Sequence, residues 1–409
     1  PFLKENRKGD IFMSLVNTPS GNRLHIGIFG KRNSGKSSLL NAITGQEIAL
    51  VSEVKGTTTD PVSKAMEIHP IGPCLLIDTA GFDDTGDLGN MRIEKTKAVL
   101  DKTDVAVVVF SDMQMELETQ WIAMLRQRKI PILAVVNQVD RIEQVQEIKR
   151  QIEQRFSLTP LLVSAKEKTG ISQMKHEILR LMPPDFEAQS LTGSLVQPED
   201  VVLLVMPQDK QAPKGRLILP QVQTIRDLLD NHCVVMCVTT EQLSTALQAL
   251  AKPPKLIITD SQAFAQVYPL KPAETLLTSF SILLAAYKGD LSAFVKGANA
   301  LDSLTDDSHV LIAEACTHAP LQEDIGRVKI PNMLRKKYGE HLQVTVVSGS
   351  QFPKDLSEYQ LIIHCGACMF NRKHVLTRVE QAEQQGVPIT NYGVVLAKLT
   401  GILDRISMQ

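Results

Sequence analysis

The sequence predicts an α/β protein with parallel sheets in three successive segments, and three observations carry that expectation. Short apolar runs rich in β-branched residues recur along the chain. Amphipathic runs of helical period separate most of them. A polar, proline-bearing stretch divides the first group from the rest. Strands that are apolar on both faces belong to a parallel sheet covered by helices on both sides. The composition agrees: 409 residues, 43% hydrophobic and 22% charged, describe a globular chain of two or three domains. They exclude a mostly disordered chain, a collagen and a coiled coil.

Taken in order, residues 24–30, LHIGIFG, form an apolar strand ending in glycine. A glycine-rich turn and the amphipathic run SSLLNAITG follow, so a strand passes through a tight turn into a helix. Further strands are predicted in PCLLIDT (73–79), VAVVVFS (105–111), ILAVVN (132–137) and PLLVSA (160–165), with helices such as 91–102 and 116–129 between them. This first domain spans residues 13–184 and closes near Pro183-Pro184. The stretch 183–200 has the composition of a linker. A second alternation follows in 201–206, 233–240 and 255–260, a small sheet of about three strands with helices near 220–230 and 241–250. Residues 274–301 look like one long apolar helical run that needs a large partner surface, another subunit included. The middle domain is placed at 198–300. The last domain, 301–409, alternates again, with strands in 309–315, 342–348, 359–364 and 388–393 and helices around 328–338 and 371–386. No repeat of fixed period is present.

Lys and Arg number 44 and Asp and Glu 45, a net charge of −1, which offers no support for a nucleic-acid partner. No apolar stretch reaches the roughly 18 residues that span a bilayer. The N-terminal residues carry no apolar signal core, so a cytoplasmic protein without a membrane partner is expected. Met13 is a candidate natural start, with residues 1–12 an extension set aside from the fold. Of the six cysteines, Cys74, Cys233 and Cys237 sit inside apolar runs and are expected in the core. A cytosolic chain with cysteines at positions 316, 365 and 368 points to a metal or redox group over a disulfide framework.

The run Gly30-Lys31-Arg32-Asn33-Ser34-Gly35-Lys36-Ser37 matches G-x-x-x-x-G-K-[ST] between a predicted strand and a predicted helix. Glycines let backbone N–H groups turn toward phosphate oxygens, and the helix N-terminus adds partial positive charge. Lys36 reaches the β- and γ-phosphates and Ser37 holds Mg²⁺, with Ser34 and Ser38 in the same loop and first turn. Three further signals follow in order. Asp78-Thr79-Ala80-Gly81 ends a strand, where a carboxylate holds Mg²⁺ through water and the Gly81 N–H senses the γ-phosphate. Asn137-Gln138-Val139-Asp140 places a carboxylate to accept from guanine N1–H and the N2 amine. Ser164-Ala165-Lys166 ends the last strand.

Together these motifs, over about residues 22–182, resemble the translation-factor class of small GTPases, which implies GTP as the nucleotide. Two positions depart from it. Gln138 replaces the usual lysine that lies along the base, and Phe82 stands where a water-orienting glutamine occurs in Ras-like enzymes. Residues 55–61, KGTTTDP, look like the first switch loop of the Era/MnmE-like GTPases, in which a threonine binds Mg²⁺; Thr58 matches best, with Thr57 next. That resemblance also implies that Asn33 helps bind a catalytic K⁺, which would act as an arginine finger does.

The last domain holds Cys316-Thr317-His318 after one predicted strand and His364-Cys365-Gly366-Ala367-Cys368 after another. C-terminal strand ends of a parallel sheet lie on one edge, so these groups can converge. Thiolates and imidazoles gathered at one point are costly to bury without a metal. Zinc would take a closed set of four, for instance Cys316, Cys365, Cys368 and one His. A [4Fe–4S] cluster on three cysteines leaves one iron for an exchangeable ligand, with His364, His318 and Glu314 as candidates.

A GTPase segment followed by C-x-H and H-C-x-x-C resembles the [FeFe]-hydrogenase maturation GTPases, the HydF-type scaffolds, over essentially all of residues 13–409. The resemblance implies Cys316, Cys365 and Cys368 as cluster ligands, a middle dimerisation domain and an iron–sulfur domain at 301–409. It also implies receipt of a di-iron precursor from radical-SAM maturases and its delivery to apo-hydrogenase. The rivals are a ribosome- or tRNA-associated GTPase with a structural zinc domain and a GTP-regulated iron–sulfur redox protein.

Overall fold

The computed structural model describes residues 18–45, 62–79, 98–184, 186, 190–207, 217–315, 324–349 and 351–408. Residues 1–12, the switch-loop stretch 55–61 with Thr57 and Thr58, residues 80–82 with Gly81 and Phe82, and Cys316, Thr317 and His318 lie outside them. The chain forms two compact units, Pro1–Phe186 and Glu187–Gln409.

In the first unit the elements run β1 (Leu24–Gly30), α1 (Lys36–Thr44), β2 (Val62–Ile68), β3 (Gly72–Asp78), β4 (Val105–Phe110), α2 (Glu116–Gln127), β5 (Ile132–Val136), α3 (Val145–Phe156), β6 (Leu161–Leu162) and α4 (Ile171–Leu181). They build one six-stranded sheet in the order β2-β3-β1-β4-β5-β6. Strands β1 and β4 are buried throughout, as apolar runs covered on both faces must be. Leu39 and Ile43 of α1 and Met174 and Ile178 of α4 cover one face. Trp121 and Leu125 of α2 and Ile148 and Ile152 of α3 cover the other. The departure from the expected parallel sheet is β2, which pairs antiparallel to β3 from Val62↔Asp78 to Ile68↔Gly72. Its alternating residues suit a half-exposed edge, a weaker signal than a buried run.

The second unit holds two four-stranded sheets. The first is formed by β7 (Val201–Val205), β8 (Val234–Val238), β9 (Leu256–Thr259) and β10 (Leu276–Ser279), in the order β10-β9-β7-β8, with α5 (Leu219–Asp230) and α6 (Leu243–Ala249) between strands. Then come α7 (Phe280–Lys288) and α8 (Leu291–Ala298). The second sheet uses β11 (His309–Glu314), β12 (Gln343–Ser348), β13 (Leu361–His364) and β14 (Ile389–Asn391), in the order β12-β11-β13-β14, with helices α9 (Ile330–Tyr338), α10 (Arg372–Gln384) and α11 (Tyr392–Leu399). Every strand pair in both sheets is parallel.

Four expectations are corrected here. Residues 274–301 are not one helix. They make the fourth strand β10, then α7, then α8, because Ser279 caps α7 by accepting from Ile282 N and Asp290 caps α8 by accepting from Ala293 N. The apolar face of α7 also needs no second subunit. Ile282 and Ala285 pack with Leu311, Ala313 and Ile362, while Phe280, Leu283 and Leu284 pack with Val202, Leu204 and Ile258, so the helix is buried between the second unit's two sheets. The close approach of α8 to β14 depends on Gly297, where a Cβ would collide with the carbonyl oxygen of Ile389. Finally, Cys74 and Cys233 are buried but Cys237 is exposed on the edge strand β8. The linker is shorter than its composition suggests, because Leu191, Leu195 and Val196 join the second unit's core. Asp227 fixes this segment by accepting from the N–H groups of Leu191 and Thr192 at 2.8 and 2.9 Å.

Candidate functional site

The first unit gathers the nucleotide motifs at the C-terminal edge of its sheet. The glycine-rich loop joins β1 to α1, with Gly35 at the helix N-cap in the left-handed region, φ 83°. A side chain there is excluded twice over, by that φ and by the Asn137 amide that its Cβ would strike. Asn137 ties three loops together. Its Nδ2 donates to the Ser34 and Gly35 carbonyls at 3.0 and 3.3 Å, and its Oδ1 accepts from Ala165 N at 3.2 Å. Gln138, in place of the expected lysine, donates from Nε2 to the Asn33 carbonyl at 2.9 Å. Its position therefore has a second use, bracing the phosphate loop.

Asp140 is exposed and accepts a 2.6 Å hydrogen bond from the Ser164 hydroxyl, which holds its carboxyl below the usual carboxylate range. A cavity of about 240 Å³ lies here, lined by Gly35, Ser38, Asn137, Asp140, Ala165 and Lys166 among others. Every one of these was a sequence candidate, and an ionised carboxylate in such a cavity suits the donor edge of guanine. Lys36 is buried and its ammonium donates to the Gly30 and Lys31 carbonyls at 2.6 and 2.8 Å. Ser37 and Asn33 are exposed beside it. Asp78, 2% exposed, ends β3, and the neighbouring Thr79 hydroxyl donates to the Ile28 carbonyl at 2.6 Å, so this strand end is tied to β1.

Sequence reasoning missed Glu118 of α2, which lies 3.9 Å from Lys31 in the glycine-rich loop. Burial pushes its carboxyl up to about 7. The folded state thus keeps a proton that the unfolded chain releases above its usual carboxylate pKa near 4.3. The fold is stabilised by that proton at low pH and loses this stabilisation as pH rises toward about 7. A thermal midpoint that falls between pH 5 and 8, with a flatter profile in Glu118→Gln, is expected; parallel profiles would refute it.

The second unit brings its own group together at the C-terminal ends of β11 and β13. Their chain order reverses between these strands, the place where open parallel sheets form sites. Cys365 follows β13, and its sulfur accepts from Ala315 N at 3.0 Å and from Ala367 N at 3.4 Å. Ala315 immediately precedes Cys316. Burial raises the Cys365 thiol to about 11, against the pull of those two N–H groups. Cys365, Cys368 and Glu314 line one cavity of about 230 Å³ with Asp260, Ser261 and Tyr392. Among the described residues no three His, Cys, Asp or Glu side chains form a metal-holding group.

The candidate fourth ligands differ sharply. His364 is 1% exposed, and both ring nitrogens are in use. Arg378 Nη1 donates to Nε2 at 3.0 Å, and since guanidinium only donates, the ring proton sits on Nδ1, 2.8 Å from the Cys365 carbonyl. Burial, then the Arg378 charge, drives its pKa down to about 3. The neutral ring has no lone pair left for a metal in this arrangement. Glu314 faces the cavity, but its Oε2 accepts from Arg327 at 2.9 Å. His318 lies outside the described residues.

Sequence reasoning also missed the cations that hold the cysteine loop. Arg372 donates to the Gly289 and Tyr287 carbonyls at 2.7 and 3.2 Å. Lys288, the last residue of α7, reaches three carbonyls of the loop. The available signal was a lone lysine at the end of an apolar helical run.

Three family models match the chain. A Hydrogen maturase F dimerization domain matches residues 191–289, a Hydrogen maturase F tetramerization domain matches 292–408, and a 50S ribosome-binding GTPase matches 25–138. The GTPase Der of Wolinella succinogenes is 33% identical over 172 residues, 39% of this chain and 36% of its own length. The tRNA modification GTPase MnmE of Bordetella petrii is 38% identical over 162 residues, 39% of this chain and 33% of its length. The chain thus spans about a third of the curated relatives it matches. Among solved structures, a probable GTP-binding protein engB shows 23% identity and a TM-score of 0.33, covering 38% of this chain and 97% of its own. An Aquifex aeolicus Era variant bound to GDP and aluminium fluoride shows 18% identity and a TM-score of 0.34, covering 62% of this chain and 99% of its own.

Proposed function

Because the chain belongs to the hydrogen maturase F family, with an N-terminal Era/MnmE-like GTPase domain, we propose that it is a GTP-hydrolysing scaffold for [FeFe]-hydrogenase maturation. In this reading Cys316, Cys365 and Cys368 hold a [4Fe–4S] cluster. The protein receives a di-iron precursor made by radical-SAM maturases and delivers it to apo-hydrogenase. The observation that carries it is the wall of Cys365 and Cys368 on a cavity at the strand ends of a unit separate from the nucleotide loops.

An iron–sulfur group fits this donor set. The Cys365 sulfur accepts two backbone N–H bonds, the arrangement that favours thiolate, and its buried thiol ionises only where a cation offsets the charge. A bound cluster would supply an iron with an exchangeable position. Asp260, Ser261, Glu314 and Tyr392 line the cavity and would orient a cargo by hydrogen bonds. Anaerobic purification with iron, sulfide and zinc analysis tests the assignment. Iron and sulfide with an EPR signal on reduction are expected; stoichiometric zinc without iron would put the structural-zinc GTPase first.

In the first unit Lys36 would neutralise β- and γ-phosphate oxygens, Ser37 and Thr58 would hold Mg²⁺ with Asp78 acting through water, and Asp140 would select guanine. Asn33 would help hold K⁺. The cytoplasm is the proposed location; no described helix is long and apolar enough to cross a membrane.

The chain carries dimerization and tetramerization domains and is a homo-oligomer. The surface favoured for the dimer is the β8 edge. Strand β8 ends its sheet, Val234 is 57% exposed and Leu229 of the preceding α5 is 54% exposed. An apolar open edge is a template for another strand. Light scattering is expected to give at least twice the 45.2 kDa chain mass, and Val234→Lys with Leu229→Lys should lower it. An unchanged mass in that variant would remove β8 from the interface.

A further inference from the structure

Lys288 is a cation placed where a folded protein rarely puts one. It is 1% exposed, and among the described residues it has no carboxylate partner. Its Nζ donates instead to the carbonyls of Ala367, Cys368 and Phe370 at 3.3, 3.1 and 2.7 Å. Three acceptors match the three N–H groups of an ammonium; a neutral amine would turn its lone pair toward one of them. All three carbonyls belong to the loop that carries Cys365 and Cys368. A buried ammonium without a counter-ion is costly to maintain, so such a charge persists where an anion completes the site. Burial pulls this ammonium down to about 8, and the Cys368 and Cys365 sulfurs act in the opposite direction.

We propose that Lys288 is the positioning cation of the cluster loop: its ammonium fixes the C-x-x-C turn through three carbonyls and supplies the positive charge that offsets an anionic, thiolate-ligated cluster. The inference rests on the cluster assignment made above. Among the described residues of the unit no other candidate combines these features. Arg372 holds the same loop but bonds to helix carbonyls, and Arg378 is taken up by His364 and the Gly349 carbonyl.

A positive charge beside a cluster favours its reduced, more negative state, so removing it lowers the reduction potential. The test is an EPR-monitored redox titration of the full-length protein after anaerobic reconstitution with iron and sulfide, with iron counted in each variant. Lys288→Arg should titrate close to wild type. Lys288→Met and the neutral hydrogen-bonding Lys288→Gln should both shift to more negative potential. If Lys288→Met does not fold, the comparison of Lys288→Gln with Lys288→Arg carries the same test. Equal potentials in wild type, Lys288→Arg and Lys288→Gln at equal iron content would overturn the inference and leave the cluster assignment standing. Equal iron loss from Lys288→Arg and Lys288→Gln would also overturn it, since packing alone would then explain the residue. A wild-type protein that takes up no iron overturns the cluster assignment itself and this inference with it.

Discussion

Cys365→Ala is expected to remove most of the bound iron and to abolish hydrogenase activation, while GTP hydrolysis stays within about twofold of wild type. The sulfur of Cys365 is held by the backbone of its own unit. Two backbone N–H groups point at it, one from Ala315 beside Cys316 and one from Ala367 within the loop. A site with three cysteines that loses one thiolate has too few strong ligands for a [4Fe–4S] cluster. Cys316→Ala and Cys368→Ala should behave alike. His364→Ala should cost less iron at the metal itself, because that ring's nitrogens are spent on Arg378 and the Cys365 carbonyl. GTP hydrolysis is spared because the nucleotide loops belong to the other compact unit. Iron analysis, hydrogenase activation and phosphate release on one set of variants decide the matter. Full hydrogenase activation by Cys365→Ala would refute the assignment.

Lys36→Ala should reduce GTP hydrolysis by at least about 10²-fold, the scale of losing one charge aimed at the developing anion. The ammonium starts α1 and now rests on two carbonyls of its own loop, within reach of the phosphate position that the loop encloses. Iron content should not change. Asp140→Ala should weaken the preference for guanine, because its carboxylate is the acceptor aligned by Ser164. Replacing Na⁺ by K⁺ should raise the rate in wild type and not in Asn33→Ala. Phosphate-release assays measure the rates and iron analysis the metal content, and a Lys36→Ala protein with wild-type rate would remove the loop from catalysis.

The nucleotide loops were legible in the sequence because their chemistry is local. A glycine that must adopt φ 83°, a lysine one residue later and a strand before them all lie within one short segment. The strands β1, β4, β5 and β13 were legible for a related reason: apolar residues on both faces leave few other places for such a run. The edge strand β2 was not legible, since half of it faces water and its register comes from β3 alone. The division of residues 274–301 into a strand and two helices escaped the periodicity, because Ser279 and Asp290 act through capping bonds whose strength depends on how the flanking segments pack.

By itself the sequence determined the α/β alternation, the order of the guanine-nucleotide motifs and the presence of three cysteines that follow predicted strands. Only the tertiary structure decided that Cys365, Cys368 and Glu314 share one cavity, that His364 is committed to Arg378, and that α7 is covered by the second unit's two sheets. It also decided that the last residue of that apolar helix, Lys288, holds the cysteine loop 79 to 82 residues away in the chain. The physical reason is that propensity and periodicity act over a few turns of chain. Burial of a charge and the sharing of a lone pair depend on which parallel strands end side by side.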